Sequence, residues 1–146
     1  MQSIRYSVAA LAATVLLAGV ATADSRNSGK SFKVELTGGA ERPGPGDPDG
    51  SGTARINVHH NKGRICYELK VEDIAPATAS HIHRAGRDSP GPVVVTLIAP
   101  TNGSSSGCVD VSRELARDIH QNGENFYVNV HNAEFGPGAI RGQLDD

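Results

Sequence analysis

Apolar and polar positions alternate along several short stretches of this chain, and that alternation predicts its architecture. Phe32-Lys33-Val34-Glu35-Leu36 puts an apolar residue at every second position, the period of a strand with one buried face. Residues 53–58 and 64–71 repeat the pattern on either side of His60-Asn61-Lys62-Gly63. Gly63 is free to take a positive φ there, so the pair predicts a β-hairpin. Residues 79–84 predict a short strand, which Ser89-Pro90-Gly91-Pro92 ends. Residues 93–98 form a charge-free run of β-branched and apolar side chains, which predicts a strand buried on both faces. Residues 100–107 are polar and predict a turn region before a short strand at 108–111. Residues 126–131 and 139–144 alternate once more, and residues 38–52, dense in Gly, Pro and Asp, predict a loop.

One stretch has the helical period instead. Ser112 can cap a first turn, Leu115 and Ile119 share a face at i, i+4, and Asn122-Gly123 can stop the helix, which is expected over 112–121. Some seven short strands and one short helix predict an all-β domain, an antiparallel sandwich or barrel.

The N-terminus does not belong to that domain. Arg5 is followed by an apolar run of about 13 residues, where a membrane-spanning helix needs roughly 20, and then by Ala21-Thr22-Ala23. These features predict a signal peptide over residues 1–23, and hence a chain exported to the periplasm or the extracellular space. Residues 24–31 are small and polar and are expected to form a flexible tether. Without the leader, 13 basic residues face 16 acidic ones. No long basic run remains, so nucleic-acid binding is not expected, and no second apolar segment calls for a membrane. Cys66 and Cys108 make an even count in an exported chain and predict a disulfide.

Histidines carry the candidate chemistry. Residues i and i+2 of a strand point to the same side, so His81 and His83 share a face and their rings can converge on one ion. On the strand at 126–131, Phe126, Val128 and Val130 form the apolar face, and Tyr127, Asn129 and His131 lie on the other. A third imidazole from that strand would complete a His₃ set with a position left open. The structural alternative is that the histidines only hydrogen-bond loop backbone. The sole methionine is Met1, so no thioether is available. With the cysteines paired, an all-imidazole site suits Cu(II) or Zn(II) better than Cu(I) or a blue-copper centre. Of His59 and His60, which face opposite ways beside the hairpin turn, at most one can join such a site. His120, on the helix, is expected to be solvated. Arg141 is expected to pair with Glu134 or Glu68, or else to draw an anion toward a metal, and Gly142 beside it can admit a close neighbour. Asp47-Pro48-Asp49-Gly50 lacks the distal Glu of a calcium loop.

The chain resembles the CHRD domain, a module repeated in chordin and found alone in exported bacterial proteins. The resemblance runs from about Phe32 to Leu144. It rests on Gly52-Thr53-Ala54, on Ala79-Ser80-His81-Ile82-His83 and on Gly91-Pro92-Val93-Val94-Val95. It continues through Phe126-Tyr127-Val128-Asn129-Val130-His131 and Gly138-Ala139-Ile140-Arg141-Gly142-Gln143-Leu144. At Phe135-Gly136-Pro137-Gly138 the family more often has Phe-Pro-x-Gly, a change that alters a turn. The resemblance implies an immunoglobulin-like β-sandwich outside the cytoplasm. It also groups His81, His83 and His131 into one cluster, which spacing alone does not do. Chordin as a whole binds bone morphogenetic proteins, a property that does not transfer to a lone domain. A looser likeness is to copper-zinc superoxide dismutase, also a Greek-key β-protein with His-x-His copper ligands, a disulfide and an anion-attracting arginine. Arg141 would take the arginine's part, but a fourth copper histidine and a zinc site have no match.

Three functions follow. The first is a metal-binding protein, for copper or else zinc, acting in sequestration, delivery or redox chemistry. The second is a non-catalytic module that binds an extracellular protein partner. The third is a dismutase-like copper enzyme.

Overall fold

The computed structural model describes residues 29–145. The expected signal peptide (1–23) and the first part of the expected tether lie outside the described residues. Eight strands and one α-helix follow in order: β1 (Lys30–Thr37), β2 (Ser51–His59), β3 (Arg64–Glu72), β4 (Ala77–Arg84), β5 (Val93–Leu97), β6 (Ser104–Asp110), α1 (Arg113–Gln121), β7 (Phe126–Asn132) and β8 (Ile140–Gln143). All the strand pairings are antiparallel, in the order β5-β4-β7-β8-β1-β2-β3-β6. The fold is all-β, as the strand pattern predicts.

The eight strands behave as two four-stranded halves. β1 and β8 meet at one pair only, Thr37 with Arg141. Apolar side chains from both halves form one core, among them Phe32, Leu36, Ile56, Ile65, Leu69, Ile82, Val128 and Ile140. The two edge strands come back toward each other through side chains. Tyr67 OH accepts from Ile98 N at 2.9 Å, and Ser105 Oγ donates to Ile98 O at 2.6 Å. The sandwich is thus nearly closed into a barrel, and β7 returns beside β4 as in a Greek key.

Gly142 marks the corner where β8 crosses β1. A Cβ there would lie 2.3 Å from Glu35 O and 2.4 Å from Val34 Cγ1, so only glycine lets the strands approach this closely. Gly142→Ala is expected to lower stability by about 2 kcal/mol, read from the urea midpoint. A change under 0.5 kcal/mol would show that the corner relaxes freely.

Three expectations are corrected. Lys30 and Ser31 belong to β1 rather than to a tether, because their backbone continues the ladder to Val58 and Asn57 of β2. β5 is not buried on both faces: it is the edge of its half, with Val93 47% and Ile98 60% exposed. A run without charge resembles a central strand, yet only the inward Val95 and Leu97 are buried. The expected turn at 100–107 is half strand, since Ser104 to Gly107 pair with β3. Their small polar side chains give no apolar period, and backbone pairing decides.

The helix forms as expected. Ser112 Oγ accepts from Leu115 N at 3.1 Å, and Ile119 is buried beneath it. Cys66 and Cys108 stand opposite each other on β3 and β6 and are bonded, S–S 2.08 Å.

Candidate metal centre

The outer face of the half built from β4, β7 and β8 carries the site. Inward residues alternate with outward ones, so Ile82, Val128 and Ile140 fill the core while His81, His83, Tyr127, Asn129, His131, Arg141 and Gln143 project outward. Strand register sets them in rows: His81 beside Asn129 beside Arg141, His83 beside Tyr127 beside Gln143, and His131 beside Ala79. A register shift against β5 falls between Ile82 and His83. Such irregularities re-aim the side chains next to them.

The three imidazoles expected from the sequence do meet. One nitrogen from each of His81, His83 and His131 lies within 4.8 Å of the others. His81 Nδ1 is 3.1 Å from His131 Nε2. Two of the rings are anchored from behind. His83 Nδ1 donates to Gly91 O at 2.8 Å, and His131 Nδ1 donates to Gly136 O at 2.9 Å. A carbonyl can only accept, so each Nδ1 bears the proton and each Nε2 keeps its lone pair. His83 Nε2 is buried and has no hydrogen-bond partner. An outer nitrogen tied to backbone with the inner one turned into the site is the arrangement that metal-ligating histidines show.

A stack of rings holds His83 in place. Its ring lies parallel to Tyr127 at 4.7 Å, and the Arg141 guanidinium sits 3.4 Å over the same Tyr127 ring. Tyr127 OH accepts from Gly91 N at 3.2 Å. Gly91, whose carbonyl orients His83, is therefore itself held through its N–H by the residue His83 stacks upon.

Burial pushes the pKa of His81 below the ordinary value, and His131 and His83 add repulsion. Burial does the same to His83, opposed by its bond to Gly91. Both effects favour neutral rings, the form that binds a metal. Glu41, the carboxylate near Arg141, is 4% exposed. Burial raises its carboxyl to about 7, against the pull of Arg141, Arg42 and a hydrogen bond from Asn129.

The remaining candidates lie elsewhere or play other parts. Arg141 is 1% exposed and does not take Glu134 or Glu68 as its partner: it donates to Ser89 O at 3.1 Å, to Gly86 O at 2.9 Å and to Gln143 Oε1 at 3.3 Å. The carboxylate that acts on it is Glu41. Its guanidinium pins the loop after β4, where an anion-attracting role would need it facing solvent. His59 and His60 stay at the β2–β3 turn, and His60 packs against His120, ring centres 4.4 Å apart. His120 is thus half-buried rather than solvated. Among the described residues, His81, His83 and His131 form the single group of three or more such ligands.

Two members of the site carry no role in the sequence pattern. Asn129 shares its strand face with His131, and that i, i+2 spacing was the available signal. Glu41 sits in an irregular loop, where nothing marks it.

Fold and site define an antiparallel β-domain with an imidazole cluster on the outer face of one half-sheet and a disulfide across the other. The family model of the CHRD domain matches residues 32–144, and the chain belongs to that family. No curated protein and no solved structure matches the chain.

Proposed function

We propose that this CHRD-domain protein is exported and holds a divalent metal ion, Cu(II) or else Zn(II), at His81, His83 and His131. One observation carries the reading: two converging imidazoles have their outer nitrogens tied to backbone carbonyls, which turns their inner nitrogens toward a third ring, and that of His83 has no partner. A His₃ set leaves a coordination position for water or a small ligand. Among divalent ions, imidazole sites favour Cu(II) by the ordinary affinity order. Export is supported by the leader-like residues 1–23 and by the disulfide. Dismutase chemistry would lean on Arg141, and with that side chain buried and spent on carbonyls the reading stops at metal holding.

The test is calorimetric titration of the purified protein with Cu(II) and with Zn(II), at pH 7.5 and pH 5. The expected result is one ion per chain with Kd below micromolar and release at pH 5, where the rings protonate. His81→Ala is expected to weaken binding tenfold or more. Binding weaker than micromolar, or unmoved by His81→Ala, would leave the histidines as structural groups. The module would then act through an extracellular protein partner.

A further inference from the structure

A crevice opens between two loops rich in glycine and proline, residues 41–45 and 134–138. Its volume is about 220 Å³. That is below the roughly 300–1,000 Å³ of pockets for drug-sized ligands, so it suits a small group or a single side chain. Both walls are fixed. Asn132 Oδ1 accepts from Glu134 N at 3.1 Å and from Phe135 N at 2.8 Å. On the other side Arg42 Nη1 donates to Gly39 O at 3.1 Å and to Glu41 O at 2.7 Å. Asp47 N donates to Ala139 O at 2.8 Å and stitches the two segments together.

The crevice is lined by a buried acid. Glu41 is 4% exposed, and its Oε1 is sealed from solvent with no hydrogen-bond partner. The carboxyl rests against Gly138 of the opposite wall, where a Cβ would stand 2.3 Å from Oε1 and 2.5 Å from Oε2. An acceptor buried without a donor is costly, so a ligand that brings one gains affinity from it.

The lining says what that ligand is. A carboxylate only accepts, so the ligand must donate, and a positive charge strengthens the bond. Glu134 adds a second carboxylate, which enters no ion pair among the described residues and turns anions away. Arg42, the one cation of the lining, has Nη1 committed to backbone carbonyls. A calcium ion takes about six to eight oxygens, whereas Pro43, Pro45, Phe135 and Pro137 present rings. Such walls suit methylene groups. One orphan oxygen suits a compact ammonium head, while the fork of a guanidinium asks for two.

We propose that this crevice binds a primary ammonium group on a short methylene stem, with the Glu41 carboxylate accepting from the head and the proline and phenylalanine rings packed around the stem. A free alkylamine and the lysine side chain of a partner present this same chemistry. The site is separate from the imidazole cluster and does not depend on a metal there.

The experiment titrates the metal-free, ¹⁵N-labelled protein and follows its amide shifts by NMR at pH 8, above the raised Glu41 value of about 7, so that the carboxylate is ionised. n-Butylamine is expected to bind saturably with a Kd of about 1 mM, the scale of a small fragment. The shifts are expected to be confined to residues 41–45 and 134–138. 1-Butanol has a similar stem without the charge and is expected to bind about tenfold more weakly or worse. Glu41→Gln is expected to weaken butylamine binding by the same factor. Nα-acetyl-lysine methylamide separates the two sources. Binding as tight as butylamine assigns the site to a partner's lysine, and exclusion of the bulkier probe assigns it to a free amine; either result keeps the ammonium site.

Butylamine that shifts no residue of the two loops would overturn the proposal. Butanol binding as tightly as butylamine would reduce the crevice to an apolar cleft. Glu41→Gln binding like wild type would remove the carboxylate from it. Calcium chloride shifting the same residues at lower concentration than butylamine would replace the ammonium with a hard cation. The butanol comparison uses the wild-type chain, so it decides the matter even where Glu41→Gln fails to fold.

Discussion

Breaking the Cys66–Cys108 bond is expected to cost the domain about 4 kcal/mol and to lower Tm by about 15 °C. The bond spans 42 positions of sequence. Closing a loop of that size removes conformational freedom from the unfolded chain, and the chain-entropy relation gives the stated figure. The loop it closes carries the whole of β4 and β5, and so His81 and His83. It ties β3 to β6, the edge strand of its half, whose small polar side chains contribute little to the core. Circular-dichroism melts of the oxidised protein and of a Cys66→Ala, Cys108→Ala variant measure the effect. A loss under 1 kcal/mol would show that β6 is held by its ladder alone. A loss of the expected size means that a reducing compartment would strip the domain of a large share of its stability, in keeping with a protein built for export.

How much of this was legible beforehand differs from element to element. Strands with a strict period of two were readable, because one face of each packs into a shared core: Phe32, Val34 and Leu36 on β1 and Phe126, Val128 and Val130 on β7 all point inward. β6 was half missed because serines and a glycine have no hydrophobic period. β5 was misplaced because composition cannot distinguish an edge strand from a central one when no charge marks the exposed face. At the site, His81 and His83 were visible as an i, i+2 pair. His131 joined them only by family resemblance, since register between β4 and β7 is a tertiary fact. Glu41 was invisible for the same reason, as its loop reaches the site only after folding. Arg141 was misread because a charged residue on a strand suggests a carboxylate partner, whereas backbone carbonyls of residues 86 and 89 take up its donors.

Glu41→Gln is expected to make the metal-free protein more stable at pH 8.5, relative to its behaviour at pH 4, by about 3 kcal/mol. A buried carboxyl raised from 4.5 to about 7 holds its proton longer in the folded state than in the unfolded one. Its contribution is therefore complete below pH 4.5 and is lost as pH climbs through 7. The gap between the two values, at about 1.4 kcal/mol per pKa unit, sets the magnitude. His81 and His83 work in the other direction. With pKa values pushed down, their contribution is complete above 6.5 and is lost as pH falls through the folded values. Wild type is thus eroded from both sides, and the variant only from the acid side. Urea unfolding of both proteins across pH 4 to 8.5 gives the comparison. Any constant cost of the new amide cancels in the difference between the two pH values. Parallel stability curves would mean that the Glu41 carboxyl ionises as freely folded as unfolded. Diverging curves mean that the fold retains, 4% exposed and near Arg141, an acid that weakens the metal-free domain at neutral pH and above. A buried residue that works against stability is the pattern expected where function, rather than packing, set the choice.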